Sequence, residues 1–168
     1  LSLYQTYGIN FAEHLRGMYA IAIHDPEKKR LILCRDPFGI KPLYYGATRD
    51  GFVFSSEFQA FQKAGVCSAK IRPRARDSLL QMQFTSGAET LLEGVYRLLP
   101  GETLVIEQAE ITTRLRLSAL PPRSHHSVRT AAALEQLDAV LADSIEVHQR
   151  SDVPYGMFLS GGIDSSVI

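Results

Sequence analysis

Tyr155-Gly156-Met157-Phe158-Leu159-Ser160-Gly161-Gly162-Ile163-Asp164-Ser165-Ser166 sets an apolar run directly before a glycine pair and a serine-rich segment. The order predicts a short buried strand over 155–159, a tight loop, and then a helix start. That arrangement gathers backbone N–H groups around an anionic phosphate. Gly161 and Gly162 have no Cβ, so the main chain can take positive φ and an anion can approach it closely. Ser160, Ser165 and Ser166 add hydroxyl donors, and amides at a helix N-terminus favour negative charge. Asp164 is repelled by a polyphosphate unless it caps the helix or shares a cation with the ligand. A magnesium ion bridging Asp164 and the phosphates resolves that conflict. The loop is not of the G-x-x-x-x-G-K-[ST] kind, because no Lys follows the glycines. A plain flexible turn is the simpler alternative for a Gly/Ser cluster.

Upstream of this stretch, Leu134, Leu137, Leu141, Ile145 and His148 recur at steps of three and four, predicting an amphipathic helix over about 129–150. Its apolar stripe is expected to pack on the sheet that 155–159 would join. A sheet with one strand cannot bury its faces alone. Pro121-Pro122-Arg123-Ser124-His125-His126 reads as an inter-domain linker, and His125-His126 lacks the further ligands a metal site needs. Earlier still, 18–24 and 30–34 predict a hairpin across Asp25-Pro26-Glu27-Lys28-Lys29. A second hairpin is predicted from 43–45 and 52–54 across Arg49-Asp50-Gly51. Ser55 or Ser56 is expected to cap a short helix carrying Phe58 and Phe61 and ending at Gly65. Residues 73–84 read as another helix, and 104–106 with 111–117 as a third hairpin across 107–110.

Equal counts of 18 basic and 18 acidic residues in 168 give no electrostatic reason to expect nucleic acid or a membrane surface as partner. The length allows about one domain core and part of a second. The alternating Lys70-Arg72-Arg74-Arg76 run is expected to be a solvated edge or loop, with a domain-interface salt-bridge role as the weaker alternative. Two sparse cysteines and no signal-like or membrane-spanning run agree with a cytoplasmic protein. Cys34 closes an apolar run and is expected to be a buried small hydrophobe, and Cys67 has no C-x-x-C partner.

Further motifs sit in a fixed order: Leu15-Arg16-Gly17-Met18-Tyr19-Ala20-Ile21-Ala22, Arg35-Asp36-Pro37-Phe38-Gly39-Ile40-Lys41-Pro42-Leu43-Tyr44-Tyr45, Phe54-Ser55-Ser56-Glu57, Leu99-Pro100-Gly101-Glu102, and Ser151-Asp152-Val153-Pro154-Tyr155-Gly156. With the 160–166 loop they resemble glutamine-hydrolysing asparagine synthetases over nearly the whole chain, least so over 67–90 and 121–127. The resemblance implies an α+β chain. Residues 1–118 would be the C-terminal part of a class II glutamine amidotransferase domain of the N-terminal-nucleophile type, layered αββα. Residues 119–128 would be a linker. Residues 129–168 would supply the first helix, strand and phosphate loop of a Rossmann-like α/β ATP-pyrophosphatase domain.

The chemistry so implied is release of ammonia from glutamine and ATP-dependent amidation of aspartate through a β-aspartyl adenylate. The cofactors are ATP and magnesium, the small-molecule substrates glutamine and aspartate, and the full-length protein a homodimer. Leu159, Ser160, Gly161, Gly162, Asp164, Ser165 and Ser166 match the family's ATP-binding positions, and magnesium at Asp164 follows from the charge conflict described above. No catalytic residue is assigned, because the family nucleophile is an N-terminal Cys and residue 1 here is Leu. The sequence is therefore read as an inactive fragment, with that Cys expected before residue 1. Arg35 is expected to pair with a neighbouring acid, Asp36 to tie down the turn that follows, and Glu57 to serve a helix start. Other readings stay open: a relative that amidates another carboxylate, a β-lactam synthetase-like ligase, or a non-catalytic truncated product.

Overall fold

Alternation of side chains along one strand explains most of the architecture. In the computed structural model, which describes residues 1–49, 51–120 and 130–167, β2 (Arg30–Arg35) sends Leu31 and Leu33 to one face and Ile32 and Cys34 to the other. A strand apolar on both faces must be covered on both, so it lies inside a sheet. It is flanked by β1 (Ala20–Asp25) and β6 (Glu102–Glu107), and β7 (Glu110–Arg116) completes an antiparallel order β1-β2-β6-β7. A second antiparallel sheet has the order β4-β3-β5, from β3 (Tyr44–Thr48), β4 (Gly51–Ser55) and β5 (Tyr96–Arg97).

Three apolar clusters show what covers each face. Ile32, Cys34 and Val105 pack with Tyr4, Phe11 and Ala12 of α1 (Ser2–Tyr7) and the 3-10 helix Gly8–His14. Leu33, Leu104 and Ile106 on the opposite face meet Leu43, Tyr45 and Leu98, with Phe52 against them. Beyond the second sheet, Tyr44 and Val53 pack with Phe58 and Phe61 of α2 (Phe58–Lys63), and with Leu92 and Val95.

The three predicted hairpins form, with Cα partners Asp25↔Arg30, Thr48↔Gly51 and Glu107↔Glu110. In the last, Gln108 and Ala109 take φ of 52° and 62°, the two positive values a two-residue type I′ turn requires. The helix after β4 begins one residue later than its predicted cap: Glu57 holds the N-cap position without a side-chain bond, while Ser55 Oγ accepts the Glu57 N–H at 3.1 Å. Gly65, at φ 67°, follows its end. The helix predicted over 73–84 is α3 (Pro73–Met82), stopped by Gln83 in the left-handed region.

In the basic run after α2, Lys70, Arg74 and Arg76 are exposed, as a solvated edge requires, and Arg72 is partly covered. Lys70 meets Glu93 at 3.1 Å, Arg72 lies 3.8 Å from Glu89 and over the Tyr96 ring, and Arg76 meets Asp77 at 2.8 Å.

The chain divides into two compact units, Leu1–Pro121 and Pro122–Ile168. Within the second, the predicted helix is α4 (Thr130–His148), and a short helix α5 (Ile163–Val167) follows the glycine pair. The strand expected at 155–159 does not form. Tyr155, Met157, Phe158 and Leu159 are exposed irregular chain, and Leu134, Leu137 and Leu141 of α4 are exposed as well. A strand needs a hydrogen-bonded neighbour, and among the described residues of this unit no other strand forms to provide one. The linker reading at 121–128, His125-His126 and Asp50 of the second turn lie outside the described residues.

Candidate functional site

Two segments carry the chemistry-bearing motifs, one in each unit. In the second, Gly161 takes φ 76°, and a Cβ built there would meet nothing within 4 Å, so the main chain is open to an approaching group. Ser160 Oγ and Ser165 Oγ lie 2.8 Å apart, and the Gly162 N–H donates to Ser160 Oγ at 3.3 Å. The hydroxyls of Ser165 and Ser166 both donate to the Gly162 carbonyl, at 3.1 and 2.8 Å. The structure therefore brings Ser160, Gly162, Ser165 and Ser166 together. Asp164 stands exposed in the first turn of α5, and Leu159 is exposed just before the loop. Three hydroxyls that would have to turn from these internal bonds, an unobstructed main chain and an accessible carboxylate are of the chemical types that a polyphosphate with a divalent cation takes.

In the first unit, Arg35 and Asp36 end β2 and organise the loop after it. Among the described residues no acid pairs with Arg35, contrary to expectation. Its guanidinium donates to three backbone carbonyls: Lys41 at 2.7 Å, Leu98 at 2.6 Å, and Gly39. A planar fork of donors suits carbonyls arriving from several directions, so the loop's main chain replaces a carboxylate as partner. Asp36, 1 % exposed, accepts the N–H groups of Phe38 at 3.2 Å, Ile40 at 3.0 Å and Lys41 at 3.0 Å. Its backbone carbonyl also accepts from Gly39 and Gly101, both at 2.9 Å. Burial alone would raise the Asp36 pKa. The backbone donors of Lys41, Ile40, Tyr19 and Phe38 outweigh it and hold the carboxyl below its ordinary value. Both charges are thus spent on main chain, as the structural reading of Asp36 requires. The loop they fix presents Phe38, 68 % exposed, and Ile40, 54 % exposed.

Other polar residues take structural roles that the sequence reading did not assign. Glu102 accepts the Leu99 N–H at 2.8 Å and an Arg114 N–H at 2.8 Å, and Arg114 also reaches the Tyr45 hydroxyl. The signal in the letters is the three-residue step across Leu99-Pro100-Gly101-Glu102, which lets a side chain reach back to its own turn. Tyr4 donates to Asp25 and accepts from Arg30 Nε at 2.9 Å and Arg30 Nη2 at 2.7 Å, tying α1 to the first hairpin. No sequence pattern links those three positions. Cys34 is fully buried, as expected, and its thiol accepts from Thr103 Oγ1 at 3.2 Å. Burial pushes the Cys34 thiol up and the adjacent Tyr19 phenol up to about 12, which favours the neutral form of each. Among the described residues no cluster of three His, Cys, Asp or Glu could hold a metal, and no helix is long and apolar enough to cross a membrane.

Comparison with known proteins adds the lineage. Residues 1–116 match the family described as glutamine amidotransferase domain, and residues 136–168 match the family described as asparagine synthase. The chain is 36% identical over 171 residues to asparagine synthetase [glutamine-hydrolyzing] 1 of Bacillus subtilis, covering 100% of this chain and 26% of that protein. It is 35% identical over 178 residues to a putative asparagine synthetase [glutamine-hydrolyzing] of Mycobacterium tuberculosis, covering 100% and 27%. To the protein named amidase chyE of Penicillium rubens it is 30% identical over 171 residues, covering 100% and 25%. The chain thus spans about a quarter of the length of these curated relatives. With more than half its residues matched to one family and its end to the other, the chain belongs to the glutamine amidotransferase domain family, in its asparagine synthetase-like form.

Proposed function

We propose that the full-length protein is an ATP-dependent carbon–nitrogen ligase that amidates the aspartate side chain with ammonia taken from glutamine. The observation that supports this reading is the succession, on one chain, of an amidotransferase match over 1–116 and an asparagine synthase match over 136–168 that contains the 160–166 loop. On this reading 1–118 is part of an N-terminal-nucleophile domain layered αββα, a reading supported by the two antiparallel sheets of this region and its amidotransferase match. Residues 119–128 are the linker, and 129–168 open a Rossmann-like ATP-binding domain. The protein works in the cytoplasm.

Ser160, Gly161, Gly162, Ser165 and Ser166 would hold the pyrophosphate end of ATP, with Leu159 against the nucleotide and Asp164 on a magnesium ion. When bound, ATP makes a carboxylate reactive towards ammonia by supplying a good leaving group. The loop's part is to orient the phosphates and to spread their charge over N–H and O–H donors.

The name of the Penicillium relative, an amidase, favours a second reading in which the acceptor is a different carboxylate. Pyrophosphate release by the full-length protein, assayed with glutamine, ATP and a panel of carboxylates, decides between the two. Release that depends on aspartate is the expected result. In the same assay Asp164→Asn and Gly162→Ala should each lower pyrophosphate release roughly 100-fold while leaving glutamine hydrolysis intact. Unchanged turnover in both variants would overturn the assignment of the loop.

A further inference from the structure

We draw no further inference here: the strongest candidate, the apolar cavity of about 260 Å³ that Tyr44, Phe58, Leu79, Phe84 and Leu91 line between α2 and α3, with Leu80 and Met82 exposed on the same helix as Leu79, is an unpartnered face, and nothing in the structure shows what covers it.

Discussion

Asp36 is the residue whose loss should be felt most widely, because one buried carboxylate accepts three loop N–H groups. Asparagine keeps the shape but turns an NH2 group towards donors, leaving N–H groups buried without acceptors. Asp36→Asn should therefore cost about 2 kcal/mol near neutral pH, read from chemical denaturation. The pH dependence has a definite sign. A carboxyl whose folded pKa lies below its ordinary 3.8 contributes stability above that value and loses it as pH falls through the folded pKa. The gap between native and variant should accordingly shrink below pH 3.8, and a gap that stays constant down to acid unfolding would exclude this role. Gly101 is fixed for a different reason. It sits at φ 69°, and a Cβ there would lie 1.9 Å from the Leu117 carbonyl oxygen, which is main chain and cannot swing aside. Gly101→Ala should destabilise the protein by more than about 2 kcal/mol, and a loss within 0.5 kcal/mol, roughly the range of neutral surface changes, would mean the backbone yields there.

Among the elements, the β6–β7 hairpin carries a local conflict that its partners override. Gln108 and Ala109 both occupy left-handed conformations, which disfavour side chains, yet the turn forms because the strands it joins are held by the core. Ala109→Gly should relieve that strain and raise stability by roughly 1 kcal/mol, seen as a higher melting temperature. A lower one would show that the turn is not of the type described. The same competition accounts for what was legible in the letters. Alternation in 18–24 and the apolar runs 30–34 and 104–106 announced strands, and each formed. The apolar run 155–159 carried a similar signal and formed none, since a strand's hydrogen bonds must be made by a neighbour that its own letters do not specify. Arg35 was misread for a related reason. Charge pairing is the usual fate of a buried arginine, but its partners here come from residues 39, 41 and 98, which only the folded loop brings together.

At the scale of the whole molecule, the two units differ in how much apolar surface they cover. The first buries Ile32, Leu33, Leu98 and Leu104 completely, whereas among the described residues the second buries none of its large hydrophobics. Buried strands open only with global unfolding, while exposed helices open locally. Hydrogen exchange on residues 1–168 should therefore show amides of β2 and β6 protected far more strongly than those of α4. Uniform strong protection across both units would contradict it. The sequence by itself determined the hairpins, the long helix at 130–148, the buried state of Cys34 and the family to which the motifs point, because these depend on local periodicity, turn chemistry and the order of short motifs along the chain. Tertiary structure alone decided which sheet face meets which helix, that Arg35 binds carbonyls and not an acid, that Glu102, Arg114 and Tyr45 meet, and that 155–159 stays irregular. Each of those outcomes is set by groups distant in sequence, whose approach costs chain entropy that only the assembled core can offset.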